Sequence, residues 1–349
     1  MQAVRVHPAP ASSMPYSPSN PAPPSALQLD QHVPIPEPAA PGDLLVRVTA
    51  TTVIRDSLTW PETYHAEYAI LGNDVAGVVE SVGPGSVGRF KAGDEVFGMA
   101  HPTRVSTWAA YTIMKEDEVT PKPSNLSWEQ AASMPLSALT AYEALFVHAG
   151  LPAPAFLDSS KDEPQRQSTT TASQKPRRVL ITGAAGGVGV YLVQLARIAG
   201  LEVVAASGSN LRNRAFLERL GADQTVEYGQ LKVVSGKYDL IIDTVGGDVL
   251  AGCWSLVADS GTLLTVDSLS AGFVEEHGRR GLSEGKESVK AFFFIVSGGR
   301  SALQALAGLA ELGLLLPFVA ETFPMASARQ AYERASVPSD SHGKVVLTV

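Results

Sequence analysis

The sequence contains a single cysteine and no long apolar run, and these two absences exclude several classes of protein. Cys253 alone cannot form an internal disulfide framework or a cysteine-rich zinc site. No stretch approaches the roughly 20 consecutive apolar residues that span a bilayer, so we expect no membrane segment. The first residues lack the apolar core of a secretory signal, and Arg5 is the only arginine or lysine among them. A cytoplasmic location is therefore expected.

Basic charge is also scarce. The chain has 27 lysines and arginines against 35 acidic residues, which gives a net charge of −8. Binding to nucleic acid or to an anionic membrane needs concentrated positive charge, so neither is expected as a partner. What is present is the composition of a globular protein, with 45% apolar residues in 349, enough for two domains.

The first part of the chain, up to about residue 125, is predicted to be rich in β-strands. Short alternating segments are separated by glycine-containing turns: LLVRVTAT, DVAGVVESVG, DEVFGMA and WAAYTIM. A helical pattern follows from Ser127, a suitable N-cap, through SWEQAASMPLSALTAYEALFVHAG. Residues 151–178 are polar and low in apolar residues, which predicts a flexible surface insertion.

After this insertion, strand-like and helical segments alternate. The strand-like segments are RVLIT, LEVVAAS, YDLIIDTVGG and GTLLTV, and a further one, KVVLTV, closes the chain. Strands that alternate with helices predict a parallel, doubly wound sheet.

The segment TGAAGGVG lies between a predicted strand and a predicted amphipathic helix. A dinucleotide diphosphate needs a tight turn, a close backbone approach and free N–H groups at a helix N-terminus. Glycine allows the first two at low cost. We therefore predict that the diphosphate contacts Gly183, Ala184, Ala185, Gly186, Gly187, Val188 and Gly189.

The stretch after the second strand bears on which nicotinamide dinucleotide binds. NAD sites usually place a carboxylate there, about 20 residues after the glycine motif. This chain has Ser207, Ser209, Asn210, Arg212 and Arg214 in the stretch and no acidic residue. Hydroxyl and guanidinium groups bind a 2′-phosphate, whereas a carboxylate repels it, so the cofactor is predicted to be NADPH.

Several segments together resemble the medium-chain dehydrogenase/reductase superfamily, most closely its zinc-free quinone oxidoreductase and enoyl reductase branch. They stand in family order: LGNDVAGVVESVG (71–83), GDEVFGM (93–99), ALTAYEAL (138–145), AAGGVGVYLVQLAR (184–197), YDLIIDTVGG (238–247), GTLLTV (261–266) and GKVVLTV (343–349). The resemblance implies an α/β fold in which a Rossmann doubly wound parallel sheet is inserted into a GroES-like β-rich catalytic domain.

The domain limits expected from this resemblance are 1–137 for the catalytic domain, completed by 300–349, and 138–299 for the NADPH-binding domain. The resemblance also implies a homodimer formed through the edge of the Rossmann sheet. Where zinc-dependent relatives carry a Gly-His-Glu signature, this chain reads Gly72-Asn73-Asp74. A catalytic zinc needs about three nitrogen, sulfur or oxygen ligands, so no metal is expected.

The resemblance also implies roles for individual residues near the substrate and the cofactor. In similar enoyl reductases a tyrosine lies eight positions after an aspartate, and here that spacing joins Asp56 to Tyr64. Tyr64 is therefore the expected hydrogen-bond or proton donor to the substrate oxygen or α-carbon. Asn73 is expected to line the substrate cleft. Further residues match family positions near the nicotinamide or the cofactor phosphates: Thr140, Tyr228 and Lys344.

Two functions remain open at this stage. The first is a free-standing NADPH-dependent reductase that transfers hydride to a diffusible α,β-unsaturated carbonyl or quinone. The second is a trans-acting enoyl reductase, or a catalytically silent NADPH-binding partner subunit, within a biosynthetic complex.

Overall fold

The computed structural model describes residues 1–86, 88–104, 106–153, 177–233, 236–337 and 341–349. Within them the chain divides into two compact units. The first unit contains Met1–Leu139 and Ser297–Val349, and the second contains Thr140–Val296. Most of the expected insertion lies outside the described residues. At its C-terminal limit the structure differs from the expectation, since Arg178 already belongs to a strand.

The secondary-structure elements are numbered in chain order. The strands are β1 (Ala3–Val6), β2 (Leu27–Asp30), β3 (Asp43–Thr52), β4 (Asp74–Val82), β5 (Glu95–Met99), β6 (Tyr111–Lys115), β7 (Val119–Pro121), β8 (Arg178–Thr182), β9 (Glu202–Ser207), β10 (Gln224–Glu227), β11 (Tyr238–Asp243), β12 (Val257–Thr265), β13 (Lys290–Phe293), β14 (Val319–Pro324) and β15 (Lys344–Thr348). The α-helices are α1 (Trp128–Ala132), α2 (Pro135–Tyr142), α3 (Gly189–Ile198), α4 (Asn210–Leu220), α5 (Gly247–Cys253), α6 (Phe273–Arg279), α7 (Arg300–Glu311) and α8 (Ala328–Ala335).

The first unit is built on a seven-stranded sheet in the order β14-β15-β3-β4-β5-β7, with β6 also paired to β3. All of these pairs are antiparallel except that of β14 with β15. β1 and β2 form a separate hairpin. The predicted strands of this region are confirmed, and the last strand of the chain joins the same sheet as the early ones.

The helix predicted from Ser127 starts as expected but does not continue. Ser127 Oγ accepts a hydrogen bond from Gln130 N, and Gln130 Oε1 accepts one from Ser127 N, which forms a capping box. The helix ends at Ala132, because Pro135 has no N–H to donate and its ring would clash with the preceding turn. Pro135 instead begins α2, a position that suits its fixed φ angle. A π-helical segment, Glu143–His148, follows.

The second unit contains a six-stranded sheet in the order β10-β9-β8-β11-β12-β13, with every pair parallel. Counted within this unit, the order is that of a Rossmann sheet, in which the winding reverses beside the first strand. β8 is that strand, and its residues Val179, Leu180 and Ile181 are fully buried. Near-continuous apolar strands are expected where helices cover both faces of a parallel sheet. The predicted α/β fold is confirmed.

A buried aromatic cluster packs beneath one face of this sheet. Trp254 and His277 are each 4% exposed, and Trp254 Nε1 donates a hydrogen bond to His277 Nδ1 at 2.9 Å. Phe273 packs against both rings. Burial and the nearby Arg280 charge lower the pKa of His277 from its ordinary value of 6.5. His277 is therefore neutral in the folded chain near neutral pH.

We expect this histidine to make the second unit less stable in acid. When the folded pKa is lowered, the unfolded chain binds more protons as pH falls below about 6.5, so the stabilisation is complete above that pH and is lost below it. His277→Asn keeps an acceptor for Trp254 but cannot titrate. Thermal unfolding over a pH series should therefore show a smaller acid loss in the variant than in the wild type. Identical pH slopes would contradict the assignment.

Candidate dinucleotide-binding site

The turn between β8 and α3 is closed by glycines that approach other backbone atoms closely. Gly183 has φ of +67°, and a Cβ there would lie 2.0 Å from Thr244 Oγ1. At Gly189 a Cβ would lie 2.1 Å from the carbonyl oxygen of Gly183 and 2.6 Å from the Cα of Ala184. A side chain at Gly183 would collide with the side chain of Thr244 and strain the positive φ, and one at Gly189 would displace backbone. The turn is therefore a cradle with no side chain on its inner surface at these points.

The same turn presents backbone donors at the start of a helix. Among the described residues, no acceptor is found for the amides of Ala185, Gly187, Val188 and Gly189. These groups precede or begin α3, whose N-terminus carries a partial positive charge. Free amides and this partial charge suit the diphosphate of a dinucleotide.

All of the glycine-motif residues predicted from the sequence therefore lie together in one turn: Gly183, Ala184, Ala185, Gly186, Gly187, Val188 and Gly189. The turn fits a dinucleotide diphosphate by its shape and by the chemistry of its donors. Direct contact of each residue with the cofactor stays a prediction.

A buried carboxylate, which sequence reasoning missed, holds the strand ends beneath this turn. Asp243 is fully buried and ends β11. One of its oxygens accepts a hydrogen bond from Thr182 Oγ1 at 2.5 Å. The other accepts from Thr265 Oγ1 at 2.8 Å and from the amides of Gly246 and Val245 at 2.8 and 3.3 Å. Because Thr182 and Thr265 end β8 and β12, one side chain ties three neighbouring strand ends together. The sequence does contain a signal for this role, because Asp243 is an acidic residue at the end of the apolar segment LIID.

The end of β9 is where a Rossmann fold meets the adenosine ribose. Ser207 is its last residue, and Ser207 Oγ donates to the carbonyl of Ser209 at 3.4 Å. In the parallel register Ser207 lies opposite Glu227, the last residue of β10. The ring of Tyr228 lies beside the same turn, 3.9 Å from a Cβ built at Gly208. The structure thus brings Ser207, Ser209 and Tyr228 together.

The stretch after β9 has no acidic residue of its own, but the neighbouring strand β10 brings Glu227 beside it. Glu227 Oε1 accepts a hydrogen bond from the amide of Asn210, the first residue of α4, at 2.6 Å. Arg212 and Arg214 follow two and four residues after Asn210, at the start of α4, and are exposed. The ribose end of the site therefore carries groups of both charges.

Tyr64, expected to be catalytic, has a structural hydrogen-bonding role. Its hydroxyl donates to the carbonyl of Leu58 and accepts from the amide of Ala22 at 2.9 Å. The ring packs against a core cluster that includes Leu58 and Trp108. Burial raises the pKa of Tyr64, although the Ala22 amide opposes this. Its single proton is used within the first unit in this structure, and proton donation by Tyr64 to a substrate stays a prediction.

Lys344 is also placed differently from the expectation. Its Nζ lies 3.4 Å from Asp74 Oδ2, and both side chains are almost completely buried. Asp74 accepts two further hydrogen bonds, from Thr52 Oγ1 at 2.5 Å and from the amide of Leu136 at 2.6 Å. A buried charge requires a partner of this kind. Lys344 therefore forms an ion pair within the first unit, and its contact with the cofactor phosphates stays a prediction.

Two expected site residues are buried, one just before β4 and one in α2. Asn73 is 2% exposed, and its Nδ2 donates to the carbonyl of Ala100 at 3.5 Å. Thr140, in α2, is 5% exposed. Their contacts with substrate and nicotinamide stay predictions. Among the described residues, no three His, Cys, Asp or Glu side chains converge as metal ligands do.

Comparison with known proteins identifies the relatives of this chain. The alcohol dehydrogenase GroES-like domain matches residues 40–124, and the zinc-binding dehydrogenase domain matches residues 220–347. "Probable zinc-binding oxidoreductase, mitochondrial" of Arthroderma benhamiae is 33% identical over 317 residues, which cover 88% of each chain. "NAD(P)H oxidoreductase RTN4IP1, mitochondrial" of Bos taurus is 30% identical over 304 residues, or 80% of this chain and 70% of the relative.

Among solved structures, the quinone oxidoreductase from Coxiella burnetii superposes with a TM-score of 0.79 at 26% identity, over 100% of this chain and 99% of the other. The fold, the glycine turn and these relatives define an oxidoreductase that uses a nicotinamide cofactor. The chain belongs to the medium-chain dehydrogenase/reductase superfamily, in its quinone-oxidoreductase-like branch.

The relatives also bear on location. Two of their names include the word mitochondrial, so the cytoplasmic location expected from the sequence stays a prediction. None of the helices in the described part of the chain has the length and apolar character needed to cross a membrane.

The close packing of the glycine turn leads to a first prediction for this site. Gly189→Ala should raise the Kd for reduced dinucleotide roughly tenfold or more, because its Cβ would displace the backbone that presents the amides. Isothermal titration measures this. Gly252→Ala is the matched control, since a Cβ at this position in α5 meets nothing within 4 Å. Equal affinities in the two variants would show that the turn does not bind the diphosphate.

The hydrogen bonds of Tyr64 lead to a second prediction. Tyr64→Phe should lower the free energy of unfolding by about 1–2 kcal/mol, because it leaves the Leu58 carbonyl and the Ala22 amide without a partner. Turnover of a quinone should stay within about twofold of the wild type. Tyr68→Phe is the control, because among the described residues the Tyr68 hydroxyl has no hydrogen-bond partner. A large loss of turnover with unchanged stability would restore Tyr64 as catalytic.

Proposed function

We propose that this oxidoreductase transfers hydride from NADPH to a quinone or an α,β-unsaturated carbonyl, without zinc. The observation that carries the proposal is the turn of free amides at Gly183–Gly189, held on the tied ends of β8, β11 and β12. When bound, the dihydronicotinamide ring supplies the hydride. The residues of the chain hold the dinucleotide and set its orientation.

The preference for NADPH rests on the polar groups at the ribose end. Ser207, Ser209 and Tyr228 gather there, and Arg212 and Arg214 are exposed on α4. Hydroxyl and guanidinium groups form charge-assisted hydrogen bonds with a phosphate. The Bos taurus relative carries NAD(P)H in its name, which supports a reduced nicotinamide dinucleotide. The name does not distinguish NADPH from NADH, so the measurement of both affinities below tests that choice.

The absence of zinc from the reaction is proposed from the donor set. Asn73 stands where zinc-dependent relatives have histidine, and its amide donates to a backbone carbonyl. An amide is a poor zinc ligand beside thiolate and imidazole. Catalysis would then depend on how the chain positions the substrate against the dihydronicotinamide and on hydrogen bonds to the developing oxyanion.

Of the two proposed substrate classes, we favour a quinone over an enone. Reduction of an enone places a proton on carbon, a slow transfer that a positioned acid accelerates. Tyr64, the expected donor, uses its proton on the Leu58 carbonyl. A quinone that accepts hydride becomes a phenolate, whose oxygen takes its proton directly from water. The Coxiella burnetii neighbour is named a quinone oxidoreductase, which agrees with this choice.

A homodimer remains part of the proposal. β13 lies at one edge of the described six-stranded sheet, where its outer backbone groups are available for pairing. Sedimentation velocity on the purified chain would show the expected dimer, and a monomer at all concentrations would contradict it.

The proposed reaction is tested by following NADPH consumption with a benzoquinone and with a small enone. We expect turnover with the quinone, slower or no turnover with the enone, and the same rates after treatment with a zinc chelator. Lower Kd for NADH than for NADPH would overturn the cofactor assignment. Binding of NADPH without any turnover would instead favour a partner subunit or a carrier-dependent reductase.

A further inference from the structure

A carboxylate from one strand lies at the end of its neighbour in the candidate site. Glu227 ends β10, and the parallel register places it directly opposite Ser207 at the end of β9. Its Oε1 accepts a hydrogen bond from the amide of Asn210 at 2.6 Å, so the side chain extends toward the first turn of α4. The carboxylate therefore lies within the turn that joins β9 to α4.

This location matters because the end of the second Rossmann strand meets the ribose 2′ position. A carboxylate there accepts hydrogen bonds from a ribose hydroxyl and repels a 2′-phosphate. β9 itself provides no acid, but the neighbouring strand supplies one through the sheet register. Tyr228, the next residue after Glu227, also faces this turn, with its ring 3.9 Å from a Cβ built at Gly208.

No cation of the described residues neutralises the charge of Glu227. Among the described residues, no lysine, arginine or histidine forms an ion pair with it. The side chain is half-buried, so water screens its charge only in part. The negative charge of Glu227 would repel an approaching 2′-phosphate, whereas the partial positive charge at the N-terminus of α4 would attract it.

We propose that Glu227 is a specificity-determining residue: its carboxylate opposes the 2′-phosphate of NADPH and accepts a hydrogen bond from the ribose of NADH, so that this enzyme accepts both dinucleotides. The inference rests on the proposed function, since it requires a nicotinamide dinucleotide in this site. The inference refines the proposed preference for NADPH over NADH, because it names the Glu227 carboxylate as the group that makes this preference smaller.

The competing explanation is that Glu227 only caps α4. Two variants separate the explanations. Glu227→Gln keeps an oxygen for the Asn210 amide and removes the charge, whereas Glu227→Ala removes both. If the charge sets specificity, both variants should show the same change in the ratio of Kd for NADH to Kd for NADPH. Only the alanine variant should also lose thermal stability.

The experiment measures Kd for NADPH and for NADH by titration of the full chain, with Glu218→Gln as the control. Glu218 is exposed on α4, so its variant changes net charge by the same amount away from the β9–α4 turn. We expect the ratio of Kd for NADH to Kd for NADPH to rise about tenfold in Glu227→Gln, as removal of one partly screened like charge implies. The control should keep the wild-type ratio.

The outcomes separate this inference from the proposed function. If the wild-type chain binds neither dinucleotide, the proposed function fails and the inference fails with it. If the wild type binds both but Glu227→Gln keeps the wild-type ratio, only the inference is overturned. An equal loss of affinity for both dinucleotides in Glu227→Gln would likewise show a cap and no role in specificity.

Discussion

The site depends on one buried carboxylate. Asp243 accepts hydrogen bonds from the last residues of β8 and β12 and from the backbone that follows β11, so three strand ends are held at one level. A buried carboxylate is stable only when donors surround it, and removal of a donor would leave an uncompensated charge. Because Thr182 immediately precedes Gly183, the same bonds fix where the glycine turn begins. The turn can then present its amides without any side chain of its own.

Close approach explains the rest of the glycine turn. The carbonyl of Gly183 lies where a side chain on Gly189 would be, so the N-terminus of α3 packs directly against the end of β8. This contact directs the first amides of the helix into the turn. The neighbouring ribose end is assembled differently, from the ends of β9 and β10 and the start of α4. Its balance of hydroxyl, guanidinium and carboxylate groups is a property of the sheet register and not of any single segment.

The first unit uses many of its polar side chains internally. Tyr64 holds the Leu58 carbonyl and the Ala22 amide, and Lys344 neutralises Asp74. These bonds stabilise a β-rich unit in which distant parts of the chain must meet, since β15 at the C-terminus pairs with β3. The hydroxyl of Tyr64 and the ammonium of Lys344 are thus both engaged within this unit. The proposal of a quinone as substrate rests on these contacts, since reduction of a quinone needs hydride and then only a proton from water.

The sequence by itself determined the fold class, the strands and the glycine turn, because these depend on local periodicity and on backbone geometry that glycine alone permits. It also indicated the capping box at Ser127, although the break before Pro135 was missed. Tertiary structure decided the bonding partners of Tyr64, Lys344, Asp243 and Glu227. Each of these side chains bonds to a residue that strand pairing or packing brings near. Glu227, at the end of β10, for example, accepts a hydrogen bond from the amide of Asn210, at the start of α4. The physical reason is that a local pattern specifies which elements form, whereas the partner of a polar side chain is set only when those elements pack.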